Sequence, residues 1–392
     1  MPTAILDLDL QQLPPAISLP EHYDRALILV RLRGQPVGRA TMPVVDGRIG
    51  GFELRDTLMQ AAGWTLWERW LHDYLGWEPV PDPDPTQPTA TVAVCTRDRS
   101  RDLRRCLEAV LRLPDDGQEV LVVDNCPSTD ATRRLVETFQ GVRYVLEERA
   151  GLDVARNRAL REARHQVVAF IDDDAVPDPG WLRGLLRNFD DPLVLCVTGL
   201  TMPLELETEA QEWFERYSSF CRGFKRAVFD QKSINPLAAG RVGAGANMAL
   251  RRCVMELVGP FDEALDAGTP TCSGGDTEMF SRILAGGYRI VYDPSALNWH
   301  RHRRTWEELR HTLYGYGAGV YALWIRKLLF ERELTVLKLA WGWFRRHQLK
   351  KLLRSLLRRP NSTPIGLLLA ELHGCAVGPW AYLSSRRRLR RG

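Results

Sequence analysis

From Thr89 onward the chain alternates short apolar runs with segments of helical length, and this alternation restricts the fold more than any other feature. TATVAVCTR (89–97) reads as a strand and 100–112 as a helix, EVLVVDN (119–125) as a strand and 128–139 as a helix. VRYVLEE (142–148) precedes a helix over 152–164, VVAFI (167–171) is apolar throughout, and VLCVTGLT (194–201) adds a fifth strand. Strands joined by helix-length crossovers build a mainly parallel sheet flanked by helices, an α/β, Rossmann-like architecture. An unbroken apolar run such as 167–171 belongs near its centre, covered on both faces.

Three carboxylates, Asp172, Asp173 and Asp174, follow that central strand directly. Asp178 then offers a helix N-cap with Pro179 at the first helical position. The acidic turn therefore lies at the carboxyl end of a central strand, where open α/β sheets place their ligands. Adjacent like charges repel, so a positive partner is expected. Asp172 and Asp174 alternate along an extended backbone and can face one magnesium or manganese ion, with substrate phosphates completing its shell. An acidic surface turn that only caps the next helix fits the same spacing. Other polar residues end the neighbouring strands: Thr96 and Arg97 after the first, Asp124 and Asn125 after the second. Asp124 suits hydrogen bonding to a base or ribose, or an ordinary turn. The first strand runs into CTRDRS, which lacks any glycine, and no GxxxxGK[ST] occurs. Dinucleotide-dependent dehydrogenases and P-loop NTPases are thereby disfavoured.

The combination VAVCTRDR (92–99), VLVVDN (120–125), GLDVARNRAL (151–160) and FIDDDAVPDPGWL (170–182) resembles glycosyltransferase family 2. GAGANMALRR (243–252), GPFDEAL (259–265), GGDTEMFSRI (274–283) and NWHRH (298–302) continue the likeness in family order, over residues 89 to about 305. The resemblance implies a GT-A fold, an inverting mechanism, Mn2+ or Mg2+, and a nucleotide-diphosphate sugar donor, a UDP-sugar being the expectation. It places Thr96, Arg97 and Asp124 in the nucleotide pocket with Arg156, Asn157 and Asp173. Asp172 and Asp174 match the metal-binding DxD motif, and Asp276 the catalytic base. His300 is expected to complete the metal shell, His302 being its rival and a pair of surface histidines the plainer reading. One departure stands out: the family often has Glu before the base, whereas Gly275 stands here. Glu278 is the alternative base, but it falls inside the following helix. The GAGAN glycines (243–247) fit an acceptor loop or simple turns.

The chemistry follows from general principles as well. A diphosphate leaving an anomeric carbon gathers charge that a cation neutralises, and a positioned carboxylate must take the proton of the attacking hydroxyl. A single displacement needs base and cation on opposite sides of that carbon.

The rest of the chain divides around this domain, 89–304. Residues 1–78 read as a small α+β unit with a hairpin over 26–45. A helix over 53–75 would bury Leu54, Leu58, Trp67, Leu71 and Leu75. Its tryptophans, Trp64, Trp67, Trp70 and Trp77, read as core rather than as a sugar-stacking platform. PVPDPDPTQP (79–88) reads as a stiff linker. Thr305 and Glu308 form a capping-box pattern that opens a C-terminal helical region, 305–392. Net charge is only +4, but 324–359 holds eleven Lys/Arg against two Glu, and the last seven residues hold five Arg. Leu and Trp mixed with these charges suggest an amphipathic surface for anionic lipid. Residues 360–385 carry a single charge, Glu371, and several glycines, so they are expected to lie on the membrane rather than span it; packing on the domain is the alternative. No nucleic-acid motif is present. Eight cysteines without metal or CxxC spacing, and an acidic N-terminus without a signal pattern, fit a reducing compartment.

The reading is a metal-dependent glycosyltransferase, peripheral at the cytoplasmic membrane face, acting on a glycan, lipid-linked or secondary-metabolite acceptor. Its rivals are a catalytically silent glycan-binding relative and a sugar-nucleotide pyrophosphorylase. The latter needs a Gly-rich basic loop that CTRDRS does not supply.

Overall fold

The computed structural model describes residues 2–76, 89–357, 359 and 362–390. The expected linker 79–88 and Trp77 lie outside them. Nine strands form the central sheet. Their order is Ala175–Pro177, Arg289–His300, Val194–Pro203, Asn247–Arg251, Val167–Ile171, Ala90–Thr96, Glu119–Asn125 and Val142–Glu147, with Ala227–Phe229 also pairing on Arg289–His300. The four strands from Val167–Ile171 to Val142–Glu147 are parallel, as the helix-length crossovers require. Along Val167–Ile171, Val167, Ala169 and Ile171 enter the core on one face while Val168 and Phe170 enter the other, which explains its unbroken apolarity.

Sequence periodicity missed one feature of the sheet. Asn247–Arg251 runs antiparallel between Val167–Ile171 and Val194–Pro203, so the fifth expected strand is displaced one place outward. Arg289–His300 is one long strand, and His300 is its last residue. The helix expected from Pro179 begins at Trp181 instead. Ala175–Pro177 pairs with Asn298–His300, which holds the chain extended. Asp178 consequently accepts from the Gly180 N–H and pairs with Arg31 at 2.5 Å instead of capping.

The N-terminal segment forms a three-stranded sheet, Thr3–Asp9 parallel to Arg25–Leu32 and Gln35–Pro43 antiparallel to it. Its two faces have different partners. Ala26, Ile28 and Val30 pack under Leu54, Leu58 and Ala62 of the helix Gly51–Tyr74, while Leu27 and Leu29 pack on Leu200, Met202, Tyr292 and Leu297 of the central sheet. The tryptophans depart from expectation: Trp64, Trp67 and Trp70 are 68%, 50% and 58% exposed. Among the described residues the helix packs on this core as far as Leu66, and Leu75, just past its end, is 46% exposed.

Trp306–Phe330 begins at the expected capping box, with Thr305 and Glu308 each accepting from the other's backbone N–H. Ile365–Leu389 lies along this helix, and Leu367, Leu368 and Tyr382 are buried. Ile365–Leu389 is thus a helix packed on Trp306–Phe330, the alternative weighed for this segment. The single charge of residues 360–385, Glu371, is buried and accepts from the Tyr217 hydroxyl. Between the two helices, Thr335–Trp343, Phe344–Leu349 and Lys350–Leu356 leave Leu337, Trp341 and Leu353 exposed beside Lys338, Arg345 and Lys350. Among the described residues no helix is long and apolar enough to cross a membrane.

Candidate active site

A cleft of about 920 Å³ opens over the sheet, lined in part by Arg156, Asp172, Gly245, Asp276, His300 and Arg303. The acidic turn enters it from the end of Val167–Ile171, and His300 from the neighbouring pairing of Ala175 with His300. Asp172, Asp174 and His300 offer one ligand atom each, all within 4.8 Å of one another. Nε2 of His300 lies 3.1 Å from Asp174 Oδ1, yet that buried oxygen has no hydrogen-bond partner among the described residues. Two ligand atoms 3.1 Å apart, with a second carboxylate beside them, fit a divalent cation of the Mn2+ type.

Basic side chains surround the cluster. Arg99 bridges Asp173 and Asp174 at 2.6 and 2.8 Å, and Arg303 reaches Asp174 at 3.3 Å. Burial would raise Asp174, but His300, Arg99 and Arg303 outweigh it and hold that carboxyl well below the usual range. For Asp172 burial, then the charge of Asp174, wins, and the carboxyl is pushed up.

Asp276 opens the helix Gly275–Ala285. Its Oδ2 accepts from the Gly245 N–H at 2.7 Å and its Oδ1 from the Thr277 N–H at 2.6 Å, which fixes the carboxylate toward the cleft. A Cβ on Gly245 would stand 2.9 Å from the Asp276 Cβ, so the glycine allows the backbone to donate this bond. Glu278, the alternative base, is fully buried and paired with Arg282 and Arg326. It faces no cleft. Gly275 has a steric reason: a Cβ there would overlap the carboxyl of Asp153. Asp153 is fully buried, and burial, then the charge of Asp266, pushes its carboxyl well above the usual range. The acid absent from position 275 is thus replaced in space by one from another helix.

The expected nucleotide residues fall into four groups. Thr96 and Asp124 are register partners on adjacent parallel strands; Thr96 donates to Asp173 at 2.7 Å, and Asp124 accepts from the Tyr144 hydroxyl at 3.0 Å. Oδ1 of Asp124 is buried without a partner among the described residues, so it can receive a ligand N–H or O–H. Arg97 is solvent-exposed and loosely placed, 3.9 Å from Asp98. Arg156 lines the cleft but is shared between Asp153 at 3.0 Å and Asp266 at 2.8 Å. Asn157 is not brought to a pocket. Its amide donates to the Phe261 carbonyl and accepts from the Phe261 N–H, so both ends are committed to backbone. Arg99, Asp153 and Arg303 were missed in the sequence, although the charge-rich CTRDRS and NWHRHRR runs signalled two of them.

A mainly parallel sheet with a carboxylate–histidine cluster at its strand ends, and a second acid lining the same cleft, is the arrangement that the resemblance to a GT-A fold implies. Residues 91–253 match the family model described as Glycosyl transferase family 2. A pre-mycofactocin glycosyltransferase of Mycobacterium tuberculosis is 29% identical over 304 residues, covering 74% of this chain and 58% of that protein. The chain thus spans little more than half of that relative's length. Glycosyltransferase AglE of Haloferax volcanii is 26% identical over 264 residues, 65% of this chain and 80% of that protein. Among solved structures, a mannosyltransferase from Pyrobaculum calidifontis in complex with GDP-Man and Mn2+ overlays with a TM-score of 0.47 at 21% identity, covering 84% and 82% of the two chains.

Proposed function

We propose that the chain is a metal-dependent inverting glycosyltransferase that moves a sugar from a nucleoside-diphosphate donor, a UDP-sugar in the first instance, to a hydroxyl acceptor. The observation that carries this reading is the single cleft lined by Asp172 and His300 of the cation-fitting cluster together with Asp276. The glycosyltransferase names of both relatives support it. Asp172, Asp174 and His300 would hold the cation, which when bound supplies positive charge against the diphosphate. Asp124, through its free Oδ1, and Thr96 would receive the nucleoside, and Arg303 would face the phosphates. As the acceptor oxygen bonds to the anomeric carbon, Asp276 takes its proton. The bond from that carbon to the diphosphate breaks with its electron pair leaving on the nucleotide, so one displacement inverts the centre. The Thr277 N–H and hydroxyl both donate to Oδ1 of Asp276, whereas Oδ2 accepts only from the Gly245 N–H among the described residues, so Oδ2 retains capacity for the incoming proton. Such a base contributes roughly 10²–10⁴ in rate.

The exposed apolar and basic run over 334–357 supports a place at an anionic membrane surface, and with it a lipid-linked acceptor or a glycan made there. The purified protein with Mn2+ and a panel of nucleotide sugars tests the activity. Release of nucleoside diphosphate from one of them is expected, and release from none at any cation concentration would overturn it.

A further inference from the structure

Behind His300 stands a chain of contacts that reaches the N-terminal sheet. His302 Nδ1 lies 3.3 Å from His300 Nδ1, His302 Nε2 lies 3.2 Å from Glu215 Oε2, and Glu215 Oε1 lies 2.5 Å from an Arg39 guanidinium nitrogen. Ser219 donates a further hydrogen bond to Glu215 at 2.6 Å. The two histidines are buried, with the Phe214 ring 4.4 Å from that of His302 and the Phe220 ring edge-on to His300 at 5.3 Å.

The order of donors along this chain follows from chemistry. A carboxylate only accepts, so the proton on neutral His302 resides on Nε2, toward Glu215. Its Nδ1 is then the acceptor, and His300 Nδ1 must be the donor. A neutral imidazole that donates from Nδ1 has its lone pair on Nε2, the atom that faces Asp174. Resting on the metal site of the proposed function, we infer that Glu215 and His302 are positioning residues that hold His300 as an Nε2 ligand. Arg39 ties this support to the hairpin strand Gln35–Pro43. The N-terminal sheet, whose role the sequence left open, thereby braces the cation site from behind. Outer partners of metal-bound histidine typically matter by 10–100-fold in affinity.

Mn2+ titration of the full-length protein without substrate, followed by electron spin-echo measurement of nitrogen coupling on the bound ion, tests this. Wild type should bind Mn2+ with an imidazole nitrogen in its shell. Glu215→Gln and His302→Gln should each weaken Mn2+ about 10–100-fold and diminish the nitrogen signal. Arg39→Ala, at a half-exposed position, should act in the same direction by a few-fold, and Arg39→Lys should restore most of the loss. Unchanged affinity and nitrogen coupling in Glu215→Gln and Arg39→Ala overturn the positioning role while the metal site stands. Should His302→Gln fail to fold, those two variants still decide. Absence of Mn2+ binding by wild type would instead overturn the metal reading itself.

Discussion

Gly275 precedes the proposed base because no side chain fits there: its Cβ would occupy the space of the Asp153 carboxyl. Gly275→Ala should therefore cost about 1–3 kcal/mol of stability by overpacking. Shortening the neighbour with Asp153→Ala in the same chain should recover part of it, giving a coupling that a double-mutant cycle of denaturant melts resolves. Additive losses would mean that the two positions do not share one space. This pair shows what a single sequence can and cannot reveal at residue scale. Asp172 and Asp174 could be picked out from their alternation at the end of an apolar strand, and Asp276 only through the family resemblance; the structure brings Asp172 and Asp276 to one cleft. The substitution of Asp153 for an acid at position 275 was not legible, since it joins residues from two helices through a contact that no local pattern encodes. Asn157 misled for the opposite reason: its place beside Arg156 in a motif suggested a ligand contact, while its amide is spent on the Phe261 backbone.

Elements were legible where periodicity was strong, and displaced where pairing overrode it. Glu119–Asn125 and Val167–Ile171 lie where their apolar runs put them. Ala175–Pro177 is too short to read and forms only because Arg289–His300 offers an edge. That long strand is itself pinned by Asp293, fully buried and held by Arg187 through two 2.8 Å bonds. Burial opposes ionisation of Asp293, but Arg187 outweighs it and the carboxyl stays below its usual range. A depressed folded value stabilises the protein above the unfolded one, near ~3.9, and the contribution is lost as pH falls through the folded value. Asp293→Asn should therefore cost about 3 kcal/mol at neutral pH, and the gap from wild type should narrow toward pH ~3 in denaturant melts. A gap independent of pH would contradict the ion pair. In the C-terminal pair of helices, a Cβ on Gly374 would overlap the Tyr314 carbonyl. Gly374→Val should thus loosen Ile365–Leu389 and expose it to limited proteolysis, and unchanged protection would refute this packing.

Over the whole molecule, the N-terminal sheet is sandwiched between its own helix and the central sheet, so it reads as an independent unit in sequence while sharing a core in space. Residues 26–30 are apolar without a break, the same sign of burial on both faces that 167–171 carries, but the pattern does not say which element covers each face. The charge asymmetry of the C-terminal region was legible, whereas its division into a packed helix and an exposed run was not, because both are rich in Leu. If the exposed run meets lipid, the protein should bind vesicles containing anionic lipid and be released by salt. Trp341→Ala with Leu337→Ser should weaken that binding at least tenfold, since each apolar side chain contributes about 1.5–3 kcal/mol when buried. Equal sedimentation with neutral vesicles would argue against it. The account as a whole rests on transfer chemistry between the cation cluster and Asp276, and the most direct test compares Asp276→Asn with wild type. Donor affinity with Mn2+ is to be measured beside the rate of nucleoside-diphosphate release. The predicted result is a dissociation constant within about threefold of wild type and a rate lower by about 10²–10⁴. A wild-type rate in the variant, or wild-type release unaffected by removing the cation with EDTA, would contradict the account.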